Sequence, residues 1–121
     1  MTPDELEERL IDFAVLILKI VKLLPNDDAG RTLKHQLSKS GTSPALNYGE
    51  VRAAESKNDF VHKKKVVNKE LRESHIALRI IKKAEMLKDP ILDKGISEAD
   101  ELISIFTASI KTSSKSMNRS R

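Results

Sequence analysis

Eleven residues, SGTSPALNYGE from Ser40 to Glu50, concentrate side chains that could carry chemistry. They hold two of the chain's four glycines, one of its four prolines and the hydroxyls of Ser40, Thr42 and Ser43. Such a mixture suits a loop that cradles phosphate or a strained turn that exposes a nucleophile. A phosphate loop, however, needs a Gly-rich run followed by Lys and Ser or Thr after a strand, and that order is missing. A serine nucleophile needs a base at a defined position, and no histidine has one beside Ser40 or Ser43. The apolar phase of the flanking residues also runs unbroken through Gly41 to Pro44, which a phosphate loop would reset. The local chemistry is therefore that of a bend. Pro44 offers no N–H to the Ser40 carbonyl and Gly41 loosens the backbone, so either one helix kinks near Pro44 or Ser43 caps a new one.

Carboxylates form the second candidate chemistry. Glu70 falls on an apolar stripe among Val67, Leu71 and Ile81, and Asn47 falls on another beside Ser40. A carboxylate in such a place must be paired, hydrogen-bonded or protonated. A buried polar network of Ser40, Asn47 and Glu70 that sets helix register is the expected outcome. The competing reading is a di-iron carboxylate site, which requires a Glu-x-x-His pair on each of two helices. Three residues after Glu50, Glu70 and Glu73 come Ala53, Glu73 and Ile76, so that motif is absent. His35, His62 and His75 fall toward outward faces and form no metal-type pair, so no metal and no cofactor is expected. With no acid–base pair of defined geometry, an enzyme is not expected either.

The third chemistry is cationic. Lys57, Lys64, Lys65, Lys69, Arg72, Arg79, Lys82 and Lys83 gather on less than half the circumference of one helical segment. Residues 56–88 carry ten basic and four acidic side chains, a net of +6 in a chain whose total is +4. The remaining residues sum to −2, so nearly all the basic excess sits here. Such a face is either solvated surface or a phosphate-binding strip.

Four helical segments must position these residues. The first opens on Thr2, Pro3 and Glu5, a capping-box pair around a proline, and stops at Pro25. Leu6, Leu10, Phe13, Ile17, Ile20 and Leu24 form its core stripe, while Ile11, Ala14, Val15, Leu18 and Val21 form a second one. A small bundle covers only one such stripe, so Ile11, Val15, Leu18 and Val21 are expected to face another subunit. The second segment runs from about Asp28 to Ala54. The third is capped by Ser56 with Asp59 and is expected to continue to Lys88, where Asp89 and Pro90 end it. The fourth is expected to start at Ser97, capped with Asp100, with Ala99, Leu102, Ile103, Phe106 and Ile110 inward. From Lys111 onward KTSSKSMNRSR carries four basic residues and no acid, and reads as a flexible basic tail, 111–121.

The fold class is thus all-α: an antiparallel up-down four-helix bundle over residues 1–110, as a single domain. The composition agrees, with 33% charged and 3% aromatic residues among 121. The absence of cysteine favours an intracellular setting, and a cytoplasmic location is expected. Asp12, Lys19 and Lys22 interrupt the apolar stretch from Leu10 to Leu24, and the acidic N-terminus lacks a basic leader region, so neither signal peptide nor membrane span is expected.

The run from His35 to Leu78 resembles the core signature of the 23S ribosomal RNA intervening-sequence protein family. The likeness rests on QL-x-x-SGTS (Gln36 to Ser43), the Asn47 and Glu50 spacing, the entry Ser56 to Phe60, and KE-x-x-E (Lys69 to Glu73). It implies a four-helix bundle, and similarity to a nucleic-acid-binding accessory protein that works with a reverse transcriptase in diversity-generating retroelements. It also implies assembly as a barrel-shaped ring, typically of five subunits. Pro44 and Tyr48 stand where aliphatic residues are commoner, and Lys63 to Lys65 is unusually lysine-dense.

The expected function is a non-enzymatic, ring-forming bundle that binds RNA or DNA by phosphate contacts on the basic helix face. A ring would repeat that face and sum its field. Phe13, Tyr48, Phe60 and Phe106 all fall inward, leaving little to stack on bases, so sequence readout is not expected. The alternative is a protein–protein scaffold, docking a reverse transcriptase or another protein, with no physiological nucleic-acid ligand.

Overall fold

The computed structural model describes residues 1–119. Four helices follow in order: α1 (Pro3–Lys22), α2 (Asp28–Arg52), α3 (Lys57–Lys83) and α4 (Pro90–Arg119). Short connections turn each helix back on the last. Each packs beside its sequence neighbours, and α4 closes the square on α1; α1 and α3 stand diagonally opposite, their backbones not in close approach. The all-α, four-helix bundle read from periodicity is what forms.

Starts and stops follow local chemistry. Thr2 accepts from the Glu5 N–H at 3.1 Å while Glu5 reaches back to the Thr2 N–H, a complete capping box. Asp27 caps α2 through the Gly30 N–H at 2.7 Å, and Ser56 caps α3 through the Asp59 N–H at 3.1 Å. The core is the set of facing stripes, with Leu10, Phe13, Ile17 and Ile20 meeting Leu37, Val67, Leu71, Leu78, Leu102 and Phe106. Tyr48 stacks edge-on against Phe106 at 5.9 Å between ring centroids.

The SGTSP bend resolves into one continuous helix. Ser43 does not cap a new helix; its hydroxyl donates to the Lys39 carbonyl at 2.6 Å, and Thr42 does the same to Ser38 at 2.7 Å. These side chains hold carbonyls near the turn that Pro44 disrupts. Gly41 serves a packing purpose: a Cβ there would lie 2.5 Å from Ile17 Cγ2, so its absence lets α1 approach α2.

Three boundaries depart from expectation. α3 ends at Lys83 because Glu85 takes a left-handed φ of 55° and the Met86 N–H closes onto the Ile81 carbonyl at 3.1 Å, a Schellman-type stop. α4 begins seven residues before Ser97. Asp89 accepts from the Ile91 N–H at 2.9 Å with Pro90 at the first helical position, so Asp-Pro starts a helix as well as following one. The stretch read as a frayed tail from Lys111 is helical through Arg119; Ser120 and Arg121 lie outside the described residues.

Candidate nucleic-acid interface

The eight cationic residues part company in three dimensions. Lys57, Lys65, Lys69, Arg72, Arg79, Lys82 and Lys83 are exposed. Lys64 is not: it is only 7% exposed and points between α3 and α4. Its ammonium donates to Ser109 Oγ at 2.7 Å and Ser113 Oγ at 2.9 Å, and lies 3.9 Å from the centroid of the Phe60 ring. Burial pushes the Lys64 ammonium below the usual lysine range. Lys64 therefore belongs to the seam that holds the end of α4 in place, and it drops out of the phosphate-binding set. Its position follows from the continuation of α4, which the polar composition after Lys111 had concealed.

Of the seven exposed cations, Lys65, Lys69, Arg72, Arg79 and Lys83 have no carboxylate within ion-pairing distance among the described residues. Lys82 shares its charge with Asp93 on α4 at 2.6 Å. Arg72 donates to Thr107 Oγ1 on α4 at 3.3 Å, which turns it toward that helix. Toward the C-terminal end of α3, an open hollow of ≈ 600 Å³ lies against α4, lined by His75, Arg79, Lys82, Lys83, Glu85 and Ile96. His75, expected on an outward face, is half-buried in this wall, a neighbour that helical spacing alone does not single out. His35 and His62 are exposed.

The polar network is rearranged. Ser40 meets Ser74, not Asn47 or Glu70, with the two hydroxyls 3.0 Å apart in the core. Ser74 also bonds the backbone carbonyl of Glu70 at 3.0 Å. Asn47 is half-buried and makes no hydrogen bond to either. Glu70 turns its carboxylate aside, where Oε2 is shielded from solvent and has no hydrogen-bond partner among the described residues. Burial, then the neighbouring Glu73 charge, hold its carboxyl above the usual carboxylate range. Asn68, which periodicity did not flag, donates to Thr107 Oγ1 at 3.2 Å across the α3–α4 seam.

On α1 the second stripe is exposed at Ile11, Val15 and Leu18, the middle residue by 46%. Val21 is not part of that face; it is half-buried against the core. A second apolar exposure lies within the cationic face of α3, where Ile76 is 54% exposed and Ile80 is also open. No helix among the described residues is long and apolar enough to cross a membrane.

The sequence pattern of the 23S rRNA-intervening sequence protein family matches residues 5–108. Among solved structures, the chain is similar to a protein of unknown function from the S23 ribosomal protein family of Bacteroides thetaiotaomicron. The TM-score is 0.82 at 25% identity, covering 92% of this chain and 99% of the other. No protein of curated function matches it.

Proposed function

The chain belongs to the 23S rRNA-intervening sequence protein family, and from that premise we propose that it is a non-enzymatic, self-associating helical bundle that binds RNA or DNA through phosphate contacts. One observation supports the reading: Arg72, Arg79 and Lys83 stand exposed on the flank of α3 that faces α4, unpaired with carboxylates among the described residues, and Arg79 and Lys83 line one hollow with Lys82 and His75. Unpaired cations keep their full attraction for phosphate, whereas cations paired with carboxylates would have to give up a partner first. Repetition of the strip in a ring of several copies, with five as the resemblance implies, sums the field over neighbouring faces. The buried Tyr48 and Phe106 and half-buried Phe60 leave no aromatic platform for bases, so the contacts go to the backbone.

Fluorescence titration of duplex and structured RNA at two salt concentrations tests this. Binding that neutralises about six phosphates weakens roughly a thousandfold between ~50 and ~200 mM salt. The combined variant Arg72→Glu, Arg79→Glu, Lys83→Glu should abolish it while the helical circular dichroism signal persists. Lys64 must be left out of that variant, since reversing a buried charge would disrupt the bundle. No binding by the native chain at low salt, or binding indifferent to the triple reversal, would favour the scaffold reading, with a protein such as a reverse transcriptase as partner.

A further inference from the structure

The two exposed apolar faces lie on diagonally opposite helices, and their heights match. Gly41 on α2 touches Ile17 of α1, with 2.5 Å from a Cβ position to Cγ2, and the adjacent Ser40 touches Ser74 of α3 at 3.0 Å. Ile17 and Ser74 therefore share one layer. Gly95 on α4 makes a second, independent layer, since its Cβ position is 2.8 Å from Ile20 and 3.5 Å from Leu78. The residue offset between α1 and α3 is 74 − 17 = 57 in one layer and 78 − 20 = 58 in the other. The two helices run in the same direction, so each α1 residue stands level with the α3 residue 57 or 58 positions later.

Applied to the outward faces, that register aligns Leu18 with Ile76, Asp12 with Lys69 and Glu8 with Lys65, each within a residue. All six side chains are exposed. Leu18 meets Ile76 and two acids meet two bases, while Ile11 comes level with Asn68 and Lys69, and Val15 with Arg72 and Glu73. Farther along, Lys22 comes level with Ile80 and Arg79, so the complementary stretch is confined to the three turns from Glu8 to Leu18.

We infer that the outward face of α1, around Glu8, Asp12 and Leu18, docks on the outward face of α3 of a second copy, around Lys65, Lys69 and Ile76. Copies with parallel axes and no vertical shift satisfy the register. Because the two patches differ, the contact is heterologous, each copy using one patch on each neighbour; such a contact closes into a ring when the rotation from copy to copy closes and runs on as an open filament when it does not. It explains why Ile76 sits within a cationic strip. It also takes Lys65 and Lys69 away from phosphate, leaving Arg72, Arg79, Lys82 and Lys83 for it. The inference rests on the self-association proposed above and adds which surfaces perform it.

Two exposed-face variants test it, Leu18→Asp on α1 and Ile76→Asp on α3, with mass measured by light scattering and folding checked by circular dichroism. Each variant alone should lose assembly and remain a folded single chain. Mixed, they should form a one-to-one pair and nothing larger, because the mixture retains a single intact α1 face and a single intact α3 face that can meet. Native-sized assembly by Ile76→Asp alone, or a mixture that stays as single chains, overturns the inference while the native assembly stands. A native protein that is itself a single chain at high concentration removes the self-association reading together with it. Charge reversal gives a second readout. Asp12→Lys should weaken assembly at least tenfold and Lys69→Asp in the same chain should restore it; failure of restoration counts against the pairing.

Discussion

Single residues in this bundle are governed by the space around them. Gly41 and Gly49 both lie within α2, yet a Cβ at Gly41 meets Ile17 at 2.5–2.8 Å and one at Gly49 meets nothing within 4 Å. Gly49→Ala should stabilise the protein by roughly 0.5–1 kcal/mol, the usual gain of alanine over glycine inside a helix. Gly41→Ala should instead cost about 1–3 kcal/mol through overpacking, partly relieved by Ile17→Ala, as urea unfolding of the four proteins would measure. Glu70 is governed by charge. Its carboxyl is held above the usual range by burial and by Glu73, so the folded chain binds its proton more tightly than the unfolded chain. Its contribution is then most favourable below the ordinary carboxylate range and is lost as pH rises through the raised value. Glu70→Gln should therefore raise Tm at neutral pH, with the margin shrinking toward zero in acid; a constant margin would contradict this.

At the level of elements, the ends of the helices carry what sequence patterns alone misplaced. Glu85 ends α3 in a left-handed conformation that costs a side chain energy and costs glycine nothing. Glu85→Gly should add roughly 1 kcal/mol of stability without moving the helix end, measurable as a higher denaturation midpoint at unchanged slope. The four apolar stripes were legible because their spacing repeats over many turns, and the capping signals at Thr2 and Ser56 are local. The last turns of α4 were not legible, since nothing apolar marks them. They are held by Lys64, which reaches across to Ser109 and Ser113. The start of α4 was hidden differently: Asp-Pro serves equally as a stop and as a cap, and local sequence does not choose.

The whole molecule presents α1 and α3 on opposite sides, each with an apolar patch inside a charged surround. If copies stack as inferred, folding and assembly are linked, and apparent Tm should rise with protein concentration over a hundredfold range. Leu18→Asp should abolish that dependence while leaving the dilute-solution Tm nearly unchanged. Salt then acts in two places. It weakens the Glu8–Lys65 and Asp12–Lys69 pairings modestly, as for exposed ion pairs, and weakens phosphate binding steeply. Titrating salt while recording mass and RNA affinity on the same samples separates the two, and loss of RNA binding should come first.

Periodicity, caps and composition determined by themselves that this chain is a four-helix bundle with one heavily cationic helix, because each is a short-range property repeated along the chain. Tertiary structure decided which cations are available: Lys64 turns inward to a pair of serines 45 and 49 residues away, while Arg79, Lys82 and Lys83 gather with His75 around one hollow. It also decided that Ser40 bonds Ser74 and that Leu18 stands level with Ile76. Those outcomes depend on the rotation and height of one helix against another. Register of that kind is set by close approaches such as Gly41 on Ile17, and no spacing within a single helix encodes it.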